Sequence, residues 1–287
     1  MALPFRYSIC NEAYQGREFA AACRHMRAAG YTGIEIAPMT LAEDPATLPA
    51  PQRREYARII RDEGLTFVGL HWVMVAPKGL HVTTPDVALR TRSWLHIRNL
   101  IDLCADFGPD GVMVFGSPLQ RCSTGGATSA EATARFVEGL ASVADHAAGR
   151  GVRVLVEALS PSQSDVVTSL AEAVAIVRQI GSPGVRTMFD THNAVDEKEP
   201  HAALVERYFE WIAHIHVNEN DGKHCGAGDY DFFPLLETLQ RLDYRGWISL
   251  EAFDFSYTPE QIASGSITHL KNLASRLPPV CSPTRAK

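Results

Sequence analysis

Three observations predict an α/β fold, specifically a single (β/α)8 barrel. Eight short β-rich runs recur along the chain, each followed by a stretch with helical spacing of apolar residues. Most runs are almost continuously apolar or β-branched, which is typical of parallel strands buried on both faces. Eight units in 287 residues give about 36 residues each, which fits the size of such a barrel. A doubly wound sheet is the second choice, because no glycine-rich turn follows the first run.

The predicted strands are spread from the start of the chain to its end. They span residues 6–10, 33–37, 66–71, 111–115, 152–157, 185–190, 212–217 and 247–251. Several of the helices between them have recognisable start signals. Residues 128–131 and 169–172 fit a capping box. Thr258-Pro259 and Thr84-Pro85 place a proline at the first helical position.

The composition excludes several classes of protein. Hydrophobic residues make up 46% of the chain and charged residues 21%, which supports a sizeable core and argues against disorder. The net charge of −6 argues against binding to nucleic acid or to an anionic membrane. No apolar stretch is long enough to span a bilayer. We expect one barrel domain over residues 1–277 and a loose tail at 278–287.

The cysteines and the start of the chain bear on location. The six cysteines are scattered and form no C-x-x-C motif, which suits a reducing cytoplasm better than a disulfide framework. The first ten residues lack the basic segment and apolar run of a secretory signal. The sequence therefore predicts a cytoplasmic protein.

Four metal-competent side chains fall at the ends of strands in the last four units. Glu157, Asp190 and Glu251 end the fifth, sixth and eighth runs, and His216 lies near the end of the seventh. In such a barrel the active site lies at the carboxyl ends of the strands, and neighbouring strands are about 4.8 Å apart. Three carboxylates and one imidazole suit a divalent cation such as Mn²⁺, Mg²⁺ or Co²⁺, and Zn²⁺ is compatible too.

A purely structural interpretation competes with the metal site. A carboxylate at a strand end is often a helix cap or a surface group, and a histidine in a strand is often a satisfied core residue. However, a charge that ends a buried apolar strand is costly unless it is paired. Because this happens three times, with a histidine in the remaining unit, the metal site is the preferred prediction.

The segments around these residues also carry a family resemblance. LVEALS (155–160), MFDTHNA (188–194), HIHVNENDGKHCGAGDYDF (214–232) and YRGWISLEAF (244–253) resemble the xylose-isomerase-like TIM-barrel sugar isomerases and epimerases. That group contains D-tagatose 3-epimerase and hydroxypyruvate isomerase. The resemblance implies an isomerase or epimerase of a ketose or a related polyhydroxy carbonyl compound. It also implies one divalent cation, with Mn²⁺ as the first choice, and allows a homo-oligomer.

The resemblance assigns roles residue by residue. It implies that Glu157, Asp190, His216 and Glu251 hold the metal, and that the two glutamates also exchange protons with the substrate. Removing a proton beside a carbonyl produces an enediolate, whose charge a cation stabilises. A carboxylate on each face can then remove one proton and return another. If only one carboxylate acts, a proton shuttled between C1 and C2 gives aldose–ketose isomerisation instead.

Two positions depart from the family pattern. The family places a substrate-contacting histidine three residues after the metal aspartate, but that position is Asn193 here, and His192 precedes it. The family's arginine after the seventh strand is replaced by Gly222, with Lys223 beside it. We therefore predict that His192, Asn193 and Lys223 contact the substrate. The identity of the substrate stays open at this point.

Further candidates lie at the predicted rim. His71, at the end of the third run, and Arg121, after the fourth, are predicted to contact the substrate, although a surface position for Arg121 fits equally well. Trp72 is expected either to stack on a sugar or to pack in the core. His214 shares a strand face with His216, so we expect it to orient a neighbour rather than bind metal.

Other functions compete with isomerisation. A lyase, a dehydratase or a C-glycoside-cleaving enzyme acting on a keto-sugar would use the same site and the same first proton abstraction. A metal nuclease related to endonuclease IV is disfavoured by the negative charge and by Asp229-Tyr230-Asp231, which lacks that enzyme's histidine. A non-catalytic sugar-binding barrel would not need four intact ligands. An amidohydrolase would carry its H-x-H motif on the first strand rather than the seventh.

Overall fold

Eight parallel strands close into a barrel in which each strand pairs with the next along the chain and the first pairs with the last. The computed structural model describes residues 5–279. Within this range the predicted (β/α)8 barrel is confirmed. The predicted tail at 278–287 lies outside the described residues from position 280 onward.

The observed strands agree with the predicted runs to within one residue at each end. They are β1 Arg6–Cys10, β2 Gly33–Ile36, β3 Thr66–Leu70, β4 Val112–Phe115, β5 Arg153–Val156, β6 Val185–Asp190, β7 Ile212–Val217 and β8 Trp247–Leu250. Several of these strands end one residue earlier than predicted. As a result, His71, Glu157 and Glu251 are the first residues after their strands rather than the last residues within them.

Helices follow the strands around the outside of the barrel. They are α1 Phe19–Ala29, α2 Ala50–Asp62, α3 Val87–Phe107, α4 Pro118–Arg121, α5 Ser129–Gly149, α6 Leu170–Ile180, α7 His201–Tyr208, α8 Phe233–Arg241 and α9 Pro259–Ala274. Short 3-10 helices span Asn11–Tyr14, Pro38–Thr40, Pro45–Thr47 and Phe209–Trp211. Among residues 5–279, no helix combines the length and apolar character needed to cross a membrane.

The predicted helix caps are mostly present. Complete capping boxes start α5 at Thr128 and α9 at Thr258. Ser169 caps α6, but the carboxylate of Glu172 accepts a hydrogen bond from the backbone of residue 168 instead of closing the box. The prediction for Thr84-Pro85 was wrong. Asp86 caps α3 with its side chain, so the proline lies before the helix.

Side chains inside the barrel lie in layers. Val112, Val114, Leu155 and Met188 belong to one buried apolar cluster. Because residues two apart on a strand share a face, Glu157 and Asp190 lie on the same inward side as Leu155 and Met188. The polar residues therefore lie above an apolar plug, at the carboxyl ends of the strands.

Candidate active site

The structure brings together the four predicted metal-site residues. One potential ligand atom from each of Glu157, Asp190, His216 and Glu251 lies within 4.8 Å of every other, and all four residues are buried. Nδ1 of His216 lies 2.8 Å from Oε2 of Glu251 and 3.8 Å from Oδ2 of Asp190. Strand register explains the grouping, because Asp190 on β6 is paired directly with His216 on β7. The cluster is a candidate metal centre at the carboxyl end of the barrel.

Two carboxyl groups of the cluster are hard to ionise when no cation is present. Burial, together with the charges of Glu251 and Asp190, raises the pKa of Glu157 to about 8. Burial and the charge of Glu251 raise the pKa of Asp190 to about 6. Both shifts arise because negative charges are crowded together away from water.

The imidazole of His216 partly compensates the negative charge of the carboxylates. Burial favours the neutral ring, but Glu35 and Glu251 outweigh it and raise the pKa of His216 well above its usual value. Burial also acts to raise the pKa of Glu251, but His216 outweighs that effect and lowers it. The charged form of His216 is thus favoured beside the carboxylate of Glu251 when no cation is present.

The chemistry of this donor set fits a divalent cation. Three carboxylates surround one imidazole, so a buried negative charge is left over, which is costly unless it is neutralised. Donor atoms in an octahedral shell lie about 2.1 Å from the ion, which places neighbouring donors about 3 Å apart. Only a small contraction of the present cluster is needed to reach that spacing. Oxygen and imidazole donors suit Mn²⁺, Mg²⁺, Co²⁺ or Zn²⁺.

Glu157 is held by its neighbours. The side-chain amide of Asn193 donates to Oε1 of Glu157 over 2.8 Å, and the backbone N–H of Asn193 donates to Oδ1 of Asp190 over 2.7 Å. Asn193 in turn accepts a hydrogen bond from Gln163. A Cβ at Gly116 would lie 2.2 Å from Oε2 of Glu157, so only glycine leaves room for the carboxylate there. The orientation of Glu157 therefore depends on both Asn193 and Gly116.

A cavity of about 310 Å³ opens beside the cluster. Glu157, Glu251 and Asn193 contribute to its wall. The remaining lining residues come from the segments that follow the strands, including helix α4: Trp72, Val75, Lys78, Gly116, Ser117, Pro118, Leu119, Gln120, Leu159, Gln163 and Phe253. The rings of Trp72 and Phe253 are stacked, with centroids 6.0 Å apart. The cavity thus combines acidic groups with an aromatic wall, as sites for polyhydroxylated ligands often do.

Not all of the residues predicted to contact the substrate lie at the cavity. Asn193 lines the cavity, as does Trp72, for which the sequence allows either sugar stacking or core packing. His71 is fully buried beside the cluster, where Nε2 lies 2.7 Å from Oε2 of Glu12. Its Nδ1 has no hydrogen-bond partner among the described residues. A direct role in substrate binding thus fits Asn193 better than His71.

Arg121 requires a correction. Its side chain is fully buried, and Nη1 donates to the carbonyl oxygens of Phe115 and Glu157 over 2.8 Å each. The interpretation as a surface residue is therefore wrong, and the buried position gives no support to the predicted contact with the substrate. The guanidinium instead connects the backbone at the ends of β4 and β5, next to the cluster residue Glu157.

His192 and Lys223 are also not part of the cavity wall. Nδ1 of His192 lies 2.7 Å from the backbone oxygen of Asn220, and its ring packs against Phe253. The ammonium group of Lys223 pairs with Asp221 at 2.5 Å. Gly222, which replaces the family's arginine, has a left-handed backbone with φ of 80°, and its carbonyl accepts from the backbone of the loop after β8. The contacts predicted for His192 and Lys223 are therefore not supported by their positions.

One important residue was not predicted. Glu35 on β2 is fully buried inside the barrel. Its Oε1 lies 2.6 Å from Nε2 of His214 and its Oε2 lies 3.1 Å from Nε2 of His216. The carboxylate of Glu35 therefore bridges the imidazole rings of His214 and His216. The sequence contained a signal, since a glutamate inside the apolar run GIEI needs a buried partner.

Comparison with known proteins agrees with the barrel fold. A family model described as a xylose isomerase-like TIM barrel matches residues 23–273. An L-ribulose 3-epimerase of Methylomonas sp. (strain DH-1) is 25% identical over 262 residues, covering 88% of this chain and 87% of that protein. A putative hydroxypyruvate isomerase of Streptomyces coelicolor is 24% identical over 237 residues, covering 78% and 81%. The crystal structure of a D-psicose 3-epimerase shares the fold, with a TM-score of 0.80 at 16% identity over 94% of this chain and 99% of that one. The chain belongs to the xylose isomerase-like TIM barrel family, as its motifs indicated.

Proposed function

We propose that the chain is a divalent-metal-dependent epimerase or isomerase of a ketose or a related polyhydroxy carbonyl compound. The observation that carries the proposal is where Glu157 and Glu251 lie. Both belong to the four-residue cluster, and both line the adjoining cavity. The relatives support the reaction class, because those reported above are named as an epimerase and an isomerase.

The proposed chemistry is proton transfer at a carbon beside a carbonyl. Glu157, Asp190, His216 and Glu251 would hold the cation, with Mn²⁺ as the first choice. When bound, it would stabilise negative charge that develops on substrate oxygens. Glu157 and Glu251 would exchange protons with the substrate carbon, and removal by one and return by the other inverts a stereocentre. Stacking against Trp72 and Phe253 would hold the sugar between the two carboxylates.

Hydrogen–deuterium exchange tests this proposal directly. The purified protein is incubated in D₂O with Mn²⁺ and each of D-fructose, D-tagatose, L-ribulose and hydroxypyruvate, and carbon-bound deuterium is followed by NMR. We expect deuterium beside the carbonyl of at least one compound, with loss of exchange after chelation and recovery on adding Mn²⁺. Deuterium at C3 with an inverted product identifies an epimerase, and deuterium at C1 or C2 with an aldose identifies an isomerase. Absence of exchange with every compound would refute the proposal.

A variant of Glu157 tests whether this residue is the general base. Glu157→Gln, assayed at saturating Mn²⁺ with its metal content measured, is expected to lose at least ~100-fold in turnover, as removal of a general base does. Glu219→Gln is the matched control, because Glu219 is also a buried carboxylate but accepts hydrogen bonds only from backbone groups of its own loop. The control should keep its rate within about 3-fold. An unchanged rate in Glu157→Gln would remove Glu157 from the mechanism.

The same incubation separates the lyase alternative. A lyase or C-glycoside-cleaving enzyme begins with the same proton abstraction but expels a group from the neighbouring carbon. A 3-keto-glycoside with a chromogenic leaving group therefore belongs in the panel. Release of that group without an epimerised product would replace the isomerase proposal with the lyase.

A further inference from the structure

We propose that Glu35 is a positioning residue that makes Nδ1 of His216 the metal-binding nitrogen. This inference rests on the proposed function, since it concerns how the chain holds its cation. It extends that proposal to a residue outside the four ligands, on β2, which is not paired with β7.

Each of the two ring nitrogens of His216 faces side chains that could bind a metal ion. Nδ1 faces the cluster with Glu157, Asp190 and Glu251, whereas Nε2 lies 3.1 Å from Glu35. Cys10, Glu35 and His216 form a second buried group whose ligand atoms lie within 4.8 Å of one another. The sequence spacing of the histidine therefore does not determine which nitrogen binds the ion. Something in the structure must select one side.

Glu35 makes that selection by accepting a proton-bearing nitrogen. An ionised carboxylate only accepts hydrogen bonds, so His216 must donate from Nε2 to Oε2 of Glu35. When a cation displaces the proton on Nδ1, the proton on Nε2 remains because Glu35 holds it. The lone pair of Nδ1 then points at the three carboxylates that line the mouth of the barrel. Metal-binding histidines commonly have such a partner on the other nitrogen.

His214 fixes Glu35 in turn. It donates from Nε2 to Oε1 of Glu35 over 2.6 Å, so both carboxylate oxygens have a partner. The two histidines lie on the same face of β7, two residues apart, and their ring centroids are 5.1 Å apart. The H-x-H pair and Glu35 thus form one buried unit in which only His216 reaches the cluster.

Glu35→Gln reverses the preference without changing the size of the side chain. A glutamine offers one accepting oxygen and one donating amide in place of two accepting oxygens. With its oxygen toward His214, the amide donates to Nε2 of His216 and drives the proton onto Nδ1. That proton must then leave before a cation binds at the cluster. We expect the Kd for Mn²⁺ to rise by about 10- to 100-fold, the usual effect of losing such a partner.

Two measurements test the inference on the whole chain described above. Isothermal titration with Mn²⁺ gives the Kd of wild type and Glu35→Gln. Spectra of ¹⁵N-histidine-labelled protein with Zn²⁺ report which nitrogen of His216 carries the proton. In wild type we expect Zn²⁺ on Nδ1 and the proton on Nε2. A general loss of stability would not change this nitrogen assignment.

Ser8→Ala is the control, because it also removes a buried hydrogen bond inside the barrel, to Ser249, and among the described residues the ring of His216 is hydrogen-bonded to Glu35 and Glu251 rather than to Ser8. Its Kd should stay within about 2-fold of wild type. If Glu35→Gln does not fold, Glu35→Asp, which retracts the carboxylate, should show an intermediate loss. Equal Kd values for wild type and the Glu35 variant, or Zn²⁺ on Nε2 of His216, would overturn the inference alone. Absence of divalent-ion binding in wild type would overturn the proposed function with it.

Discussion

Asn193 offers a sharp test of how the site orients its base. Its amide donates to Oε1 of Glu157 over 2.8 Å, and both side chains are buried. Hydrogen bonds to charged groups contribute about 1.5–3 kcal/mol. At 1.36 kcal/mol per factor of ten, the loss of this bond corresponds to about 10- to 150-fold in rate. Asn193→Ala should therefore lower kcat for deuterium exchange by that factor.

The distribution of the effect between kcat and KM decides the interpretation. If Asn193 acts by holding Glu157, KM should change little at saturating Mn²⁺. Asn193→Asp should be at least as impaired, because it places a second carboxylate against Glu157. Gln163→Ala should show a smaller loss in kcat, since Gln163 supports Asn193 and has no direct hydrogen bond to Glu157. A raised KM with unchanged kcat in Asn193→Ala would show that Asn193 binds the substrate and would refute the positioning argument.

Three further predictions concern packing and pH. Gly116→Ala should lower the exchange rate at least ~10-fold, because its Cβ would lie 2.2 Å from Oε2 of Glu157; an unchanged rate would contradict this placement. Gly139→Ala should destabilise the protein by about 1–3 kcal/mol in urea unfolding, since its Cβ would lie 1.8 Å from an indole carbon of α3, whereas Gly149→Ala on the same helix meets nothing within 4 Å and should be near neutral. The metal-free protein should lose thermal stability as pH rises from about 7 to 8, because the folded pKa of Glu157 (about 8) lies above its unfolded value. Added Mn²⁺ should reverse that trend, and a metal-free melting temperature that rises over this range would contradict the assigned pKa shift.

The barrel fold and the four-residue cluster could both be predicted from the sequence. Continuous apolar runs identify strands buried on both faces, and charges at their ends identify the polar rim. Glu157, Asp190, His216 and Glu251 could be grouped because they lie at the ends of four successive strands. Neighbouring strands are paired in every barrel of this type, so their ends meet whatever the details of the loops.

The remaining features depend on geometry that sequence spacing does not encode. Glu35 meets His214 and His216 across the barrel interior, between strands that are not neighbours. The buried position of Arg121 depends on how α4 folds back under the ends of two strands. The loop conformation around Lys223 turns its side chain toward Asp221 and away from the cavity. Such contacts are set by the closure of the barrel and by the loops.

The central claim is that four residues distant in the chain hold one divalent cation at the carboxyl end of the barrel. Anomalous scattering from crystals grown with Mn²⁺ tests it most directly. We predict one strong peak per chain, within bonding distance of Glu157, Asp190, Glu251 and Nδ1 of His216. A peak elsewhere, or crystals without a manganese peak at these residues, would contradict the account.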